Sequence, residues 1–411
     1  MRRWAVTILL ALGVILGYVD RTNISIALAA VDFRTFFHLT DTERGLLSSS
    51  FFWTYTALQI PMGLLVDRYG VRIPLAVGFA LWCLVGAATS MTTTFSQLLA
   101  CRLLLGIAES VAWPAGFSWI RSNISEKDRG MATGIFVSSS KWGPAAGAAL
   151  ASWLISDYGW RWMFLLLGLG GLIWLIPFLL FVRDTPRVVR TGGAMEVSEV
   201  PLKYLMKTPQ IWGTLIGTFC YNYFLFYSLT WMPAYFVERR HLSLNNMGIF
   251  SFFSFAGSAT MAIGAGWVAD RMIERGRDAV NVRRWFTIAG LVCASSEVIG
   301  ALSSSNRIAI FFAVFSMTGL GLATANYWAL TQALVPGTGG GRLAGLQNTA
   351  LNLAGIVAPV VTGWLKEVSG GYLLPMQAIW VVLLIGIAAY AFLIRERLAW
   401  HTLRPEIAAT S

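Results

Sequence analysis

Gly63-Leu64-Leu65-Val66-Asp67-Arg68-Tyr69-Gly70-Val71-Arg72 closes an apolar run early in the chain, and Gly266-Trp267-Val268-Ala269-Asp270-Arg271 closes another in its second half. The spacing from glycine to the acid–base pair is the same in both. Each segment follows the second of six apolar spans, so it reads as one element of a structure built twice. A second echo pairs Gly134, Trp153 and Gly159 with Gly345, Trp364 and Gly370 at a constant offset of 211. Similarity at matching places in two halves points to a duplicated fold.

The apolar runs around these motifs define that fold. Of 411 residues, 56% are hydrophobic and 12% charged, too few charges to cover a water-facing surface, where about 25% is usual. Stretches long enough for a hydrocarbon core of about 30 Å recur throughout. Twelve spans are expected, at 4–31, 43–66, 72–91, 94–120, 130–156, 160–182, 209–236, 244–268, 284–302, 306–335, 343–365 and 372–394. They predict an all-α polytopic membrane protein of two pseudo-symmetric six-helix bundles. The expected domains are 1–182 and 209–396, joined by a polar cytoplasmic linker at 183–208 and followed by a cytoplasmic tail at 397–411.

The net charge of +11 is explained by topology. With both termini inside, only Arg34, Arg44, Arg161, Arg239, Arg240, Arg307 and Lys366 fall outside, and Arg21, Arg102 and Lys141 lie within spans. The remaining Lys and Arg lie at inner ends and loops, as the positive-inside rule requires. A nucleic-acid surface would need cations clustered on one face with stacking aromatics. Cys83, Cys101, Cys220 and Cys293 fall in spans without CxxC spacing, and His38, His241 and His401 are scattered, so neither a metal nor another cofactor is expected. Arg2 and Arg3 before an apolar run imitate a signal peptide, but a retained first helix is expected. Gly143-Pro144-Ala145-Ala146-Gly147 has the spacing at which helix backbones approach closely. Gly337–Arg342 lacks the ending of a phosphate loop and is expected to be a connecting loop.

Ionisable side chains inside spans carry the chemistry. Asp20, Arg21, Arg102, Glu109 and Lys141 lie well within them, and Glu297 lies nearer an outer end. Each costs about 2.5–3.5 kcal/mol at a helix centre, so such residues are paired, cavity-facing and functional. Adjacent helical positions diverge by about 100°, so Asp20 and Arg21 should meet different partners. Asp20 and Glu109 are suited to take up a proton when an arginine turns from them to an incoming anion. Arg21 can grip a carboxylate through two parallel hydrogen bonds, and Arg102 would organise or release Glu109. Lys141 offers a second cation for a second acidic group. In the other half, Asn348 and Trp328 could bind hydroxyls and cover a sugar-like face. Asp67, Arg68, Asp270 and Arg271 read as charge latches at helix ends, each modest in energy and easily broken.

Gly17-Tyr18-Val19-Asp20-Arg21-Thr22-Asn23, the Gly63–Arg72 loop, Arg102–Glu109 before Trp113-Pro114-Ala115, and Gly345–Gly363 together resemble the anion:cation symporter family of the major facilitator superfamily. The resemblance covers nearly the whole chain. It implies a major-facilitator-type fold, proton carriage by Asp20 and Glu109 with Arg102 as their charged neighbour, and substrate contact by Arg21, Tyr18, Tyr55, Trp328 and Asn348. Lys141 departs from the small polar residues or glutamine that sugar-acid relatives often have there.

The expected function is proton-coupled symport of a small organic acid anion, a hexonate or hexuronate first among them, by a monomer in a bacterial inner membrane with both termini cytoplasmic. Its partners are then the anion, protons and membrane lipid, without nucleic acid. Another mono- or dicarboxylate, including an aromatic one, an antiporter or exporter, and a transporter-like sensor stay open as alternatives. An enzyme would need a nucleophile–base pair or metal ligands near one membrane face, and the sequence offers neither.

Overall fold

A computed structural model of the chain describes residues 2–183, 206–334 and 340–394. Nearly all of the expected linker, the whole expected tail and residues 337–339 of the expected Gly337–Arg342 loop lie outside the described residues, and residues 340–342 open a helix instead of continuing a loop. Among the described residues the regular structure is helical throughout. In chain order the helices are α1 (Arg2–Ala29), α2 (Val31–Phe37), α3 (Asp41–Tyr69), α4 (Arg72–Ala88), α5 (Phe95–Glu109), α6 (Ala112–Asn123), α7 (Glu126–Tyr158), α8 (Trp160–Gly171) and α9 (Leu175–Phe181). They continue with α10 (Pro209–Thr230), α11 (Met232–Glu238), α12 (Leu244–Glu274), α13 (Ala279–Ser295), α14 (Glu297–Leu302), α15 (Asn306–Leu334), α16 (Gly340–Ser369) and α17 (Leu373–Ala388).

All twelve expected spans are helical, and four are interrupted: α5–α6, α8–α9, α10–α11 and α13–α14. Three of these breaks lie just upstream of Pro114, Pro177 or Pro233. A proline cannot donate to the carbonyl four residues earlier, so the helical ladder is weakest there. In the fourth, the Ser296 hydroxyl donates to the Cys293 carbonyl at 2.6 Å, a local bond that competes with the ladder. Among the described residues, nine helical segments are long and apolar enough to cross a membrane by length and composition alone. The three other expected spans, α3, α7 and α10–α11, hold serines, threonines, tyrosines and charges where the nine hold aliphatic residues.

The duplication is visible in the backbone. His38 and His241, 203 positions apart, both have positive φ (51° and 55°); the first caps the seven-residue helix α2 and the second lies shortly after the seven-residue helix α11. Asp67-Arg68 and Asp270-Arg271 keep the same offset near the ends of α3 and α12. Gly159 and Gly370, from the second echo, both adopt positive φ (85° and 68°) after α7 and α16. Side chains rarely adopt that conformation, which explains a glycine in both copies.

By contact the chain divides into two compact units. One comprises 1–187 with 227–256 and 356–372, and the other 188–226, 257–355 and 373–411. In the first unit α1 packs along α7. A Cβ at Gly143 would lie 2.8 Å from the Ile15 carbonyl oxygen, and one at Gly147 would lie 2.9 Å from Val19 Cα. This close backbone approach holds the middle of α1, and with it Asp20 and Arg21, in the interior of the unit.

Candidate functional site

Arg21 on α1 donates from Nε to Glu109 Oε2 at 2.7 Å, with the two side chains 8% and 3% exposed. The pair is out of water, where removing either partner would strand a charge. Three rings surround the guanidinium: its Cζ lies 4.6 Å from the centroids of Tyr18, Phe51 and Tyr55. Such contacts contribute about 0.5–2 kcal/mol each and leave the planar fork in a fixed orientation. Glu109 is the last residue of α5, just before the break above Pro114, so its place follows directly from that interruption.

Asp20 takes the other direction, as its helical position requires. Its Oδ1 accepts from Asn23 Nδ2 at 3.0 Å, and its Oδ2 accepts from the indole Nε1 of Trp82 on α4. Arg102, the expected neighbour of Glu109, acts on it through its charge while its hydrogen bond goes to the backbone of α3. Its Nε donates to the Leu47 carbonyl at 3.3 Å, and its Cζ lies 5.3 Å from the Phe51 ring. Seven residues along α5 put Arg102 about 10 Å of rise from Glu109, too far for a direct pair when α3 offers a nearer acceptor. Tyr18, Tyr55, Asp20, Arg21, Arg102 and Glu109 therefore form one group. Lys141 lies half-buried on α7 of the same unit.

Trp328 and Asn348 belong to the second unit and are described with it. Trp328 is half-buried on α15, beside Tyr327. Asn348 accepts from Asn352 Nδ2 through its carbonyl at 2.9 Å. The buried centre of this region is Gln347, whose Nε2 donates to Thr218 Oγ1 at 3.0 Å and to the Tyr327 carbonyl at 3.4 Å. The Tyr221 ring lies 4.5 Å from that of Tyr327 in a tilted contact, and its hydroxyl lies 2.7 Å from Thr324 Oγ1. Glu297 is buried too, accepting from Ser316 Oγ at 3.0 Å, so it bridges α14 and α15.

The latch residues are exposed. Asp270 pairs with Arg283 at 2.7 Å, Arg271 stacks over Trp267, and Arg68 over Tyr69. Among the described residues, Asp67 and Arg68 form no ion pair.

A denser charge cluster, unforeseen from the sequence, lies in the first unit at the helix ends that carry the expected outer loops. Glu238 meets Arg34 at 3.0 Å, Arg44 at 2.8 Å and Lys366 at 2.9 Å, and accepts from the Tyr372 hydroxyl at 2.8 Å. Asp41 meets Arg44 at 2.6 Å and Lys366 at 2.7 Å. Arg44 also donates to the Leu28 carbonyl and lies over the Trp231 ring. Burial works against the charge on Glu238, but Arg44, Lys366 and Arg34 outweigh it and hold its carboxyl below the usual glutamate range. Side chains bonding to backbone carbonyls reinforce the junction, Trp231 Nε1 donating to Pro359 at 3.0 Å and Ser49 Oγ to Ile356 at 2.8 Å. In the sequence these charges lie in separate short runs beside three loops, at Arg34–Arg44, Glu238–Arg240 and Lys366–Glu367. Only their shared placement at one set of helix ends could have signalled the cluster.

Residues 10–359 match the family model described as the Major Facilitator Superfamily. The probable L-galactonate transporter of Escherichia coli (strain K12) is 26% identical, over 95% of this chain and 88% of its own length. The hexuronate transporter of Bacillus subtilis (strain 168) is 27% identical, over 89% of each chain. Among solved structures, a bacterial homolog of the human lysosomal transporter Spinster, inward-facing and unoccupied, is similar with a TM-score of 0.83. That likeness covers 97% of this chain and 99% of the other at 17% identity, and speaks for the fold alone.

Proposed function

The chain belongs to the Major Facilitator Superfamily as a multi-pass membrane transporter, and we propose that it carries a sugar-acid anion, a hexonate or hexuronate, together with protons by alternating access. The observation that carries this reading is the buried Arg21–Glu109 pair beside Asp20. A guanidinium that already engages a carboxylate through Nε can offer its remaining fork to a second carboxylate in two parallel bonds. A substrate anion then competes with Glu109 for the same cation. As Arg21 turns to the substrate, Glu109 loses its counter-charge in a dry setting and takes a proton instead. Binding and protonation are thereby coupled without any covalent step. Similarity to galactonate and hexuronate transporters supports the substrate class.

In this reading Asp20 is a second proton carrier and Arg102 a fixed charged neighbour. Tyr18, Tyr55 and Lys141 contact the substrate from the first unit, and Trp328 and Asn348 from the second. The Asp41–Arg44–Glu238–Lys366 cluster serves as the principal latch, with Asp67, Arg68, Asp270 and Arg271 as weaker ones. The protein works in a bacterial inner membrane with both termini cytoplasmic.

The test uses purified protein in proteoliposomes with radiolabelled D-glucuronate and galactonate. Glu109→Gln should lower pH-gradient-driven accumulation at least tenfold while substrate counterflow persists. Accumulation equal to that of the unaltered protein would remove Glu109 from proton coupling.

A further inference from the structure

Helix α1 carries two glycines one turn apart, Gly13 and Gly17, and each faces an indole. A Cβ at Gly13 would lie 2.7 Å from the Trp174 ring, and one at Gly17 would lie 2.8 Å from the Trp82 ring. Both indoles turn their N–H to α1: Trp174 donates to the Leu9 carbonyl at 2.8 Å, and Trp82 to the Asp20 carboxylate. The two belong to one column of rings. Phe79 lies 4.4 Å from Trp82 and 4.2 Å from Trp174, which lies 4.7 Å from Phe178. Trp82 is 2% exposed, so a ring wedged between this column and Gly17 has little freedom to turn.

Asp20 thus has a neutral donor on each oxygen, Asn23 on one and Trp82 on the other, whereas Glu109 has a cation. The ionisable groups that act on Asp20 from neighbouring helices are Glu109 and Arg102 of α5 and the Cys83 thiol beside Trp82. An indole N–H cannot take or release the proton itself. It supports the ionised carboxylate through a hydrogen bond and fixes its rotamer, without the full opposite charge that would bind it in one state.

We propose that Trp82 is a positioning residue for Asp20, with Gly17 as the gap that admits its ring. The role rests on the proton-carrying function proposed for Asp20, and it gives helix α4 a part in coupling. A carboxylate without that donor can turn to other partners, and its proton release slows. Substrate exchange needs no net proton release, so it should be spared.

Two measurements on the full-length protein separate this inference from the broader reading. First, infrared spectra of purified protein without substrate, compared with Asp20→Asn, identify the Asp20 carboxyl band. That band should move in Trp82→Phe, which keeps a ring in the column but removes the donor. It should move likewise in Gly17→Ala, which displaces the ring and serves if Trp82→Phe does not fold. Second, Trp82→Phe should lower pH-gradient-driven D-glucuronate accumulation about tenfold, the scale of one lost hydrogen bond to a charged group, with counterflow within twofold. An Asp20 band unmoved in a folded variant overturns the inference, and so does an equal loss of accumulation and counterflow, which marks a merely structural residue. A moved band together with normal coupling in Asp20→Asn instead sinks proton carriage by Asp20 and leaves the Trp82 contact standing.

Discussion

Arg21 answers one carboxylate at mid-helix, whereas Glu238 answers three cations and a hydroxyl at the helix ends. The first arrangement is dry, sparse and surrounded by rings, so any change of partner is felt in full. The second is partly open to water and redundant. Asp41 and Glu238 share Arg44 and Lys366, so one broken bridge leaves others in place. The difference separates recognition from fastening. Under the proposed mechanism, a group choosing between Glu109 and a guest anion is served by a single strong partner, and a junction that opens and recloses by several moderate ones.

Arg21→Lys should give the largest effect. The point charge of lysine cannot make two parallel bonds, and affinity for a sugar acid should fall on the order of a hundredfold or more. Calorimetric titration of purified protein checks this, and affinity within twofold would place recognition elsewhere. Glu238→Gln comes next, with a loss of about 1–3 kcal/mol in thermal stability at neutral pH, because three cations lose their shared anion.

The same residue gives the comparison a pH dependence. Its folded carboxyl is held below the usual glutamate range, so its contribution is present at neutral pH and is lost as acid protonates it. Unfolding scans of the unaltered protein should therefore show an acid-side loss of stability, smaller in Glu238→Gln. Equal acid-side losses in both proteins would detach the cluster from that limb. Arg34→Ala should cost least, below about 1 kcal/mol, because Arg44 and Lys366 still cover Glu238. A loss as large as that of Glu238→Gln would refute the redundancy.

Much of this was legible in the chain itself. The spans, the two echoes and the separate destinations of Asp20 and Arg21 follow from hydropathy and helical geometry, which are local. Glu109 was singled out because a buried carboxylate is costly anywhere in a membrane. What stayed hidden depends on pairings across long sequence separations. Glu238 and Lys366 looked like ordinary loop charges, 128 residues apart, until folding placed them 2.9 Å from each other. Trp82 looked like any aromatic in an apolar span. Arg102 found a backbone carbonyl, an acceptor that every residue offers and no sequence pattern marks.

The 203-residue register has one more consequence. Carried from the first half to the second, it sets His38 on His241, Thr40 on Ser243 and Asp67 on Asp270, yet Asp20 on Tyr223 and Arg21 on Phe224. The copies have kept their hems and exchanged their fabric: these border residues agree, while the buried Asp20–Arg21 couple has no acid–base counterpart at Tyr223 and Phe224, and the second half buries Glu297 elsewhere. Swapping border segments between halves should be tolerated, and swapping the middles should misplace or remove the charge proposed to bind the guest.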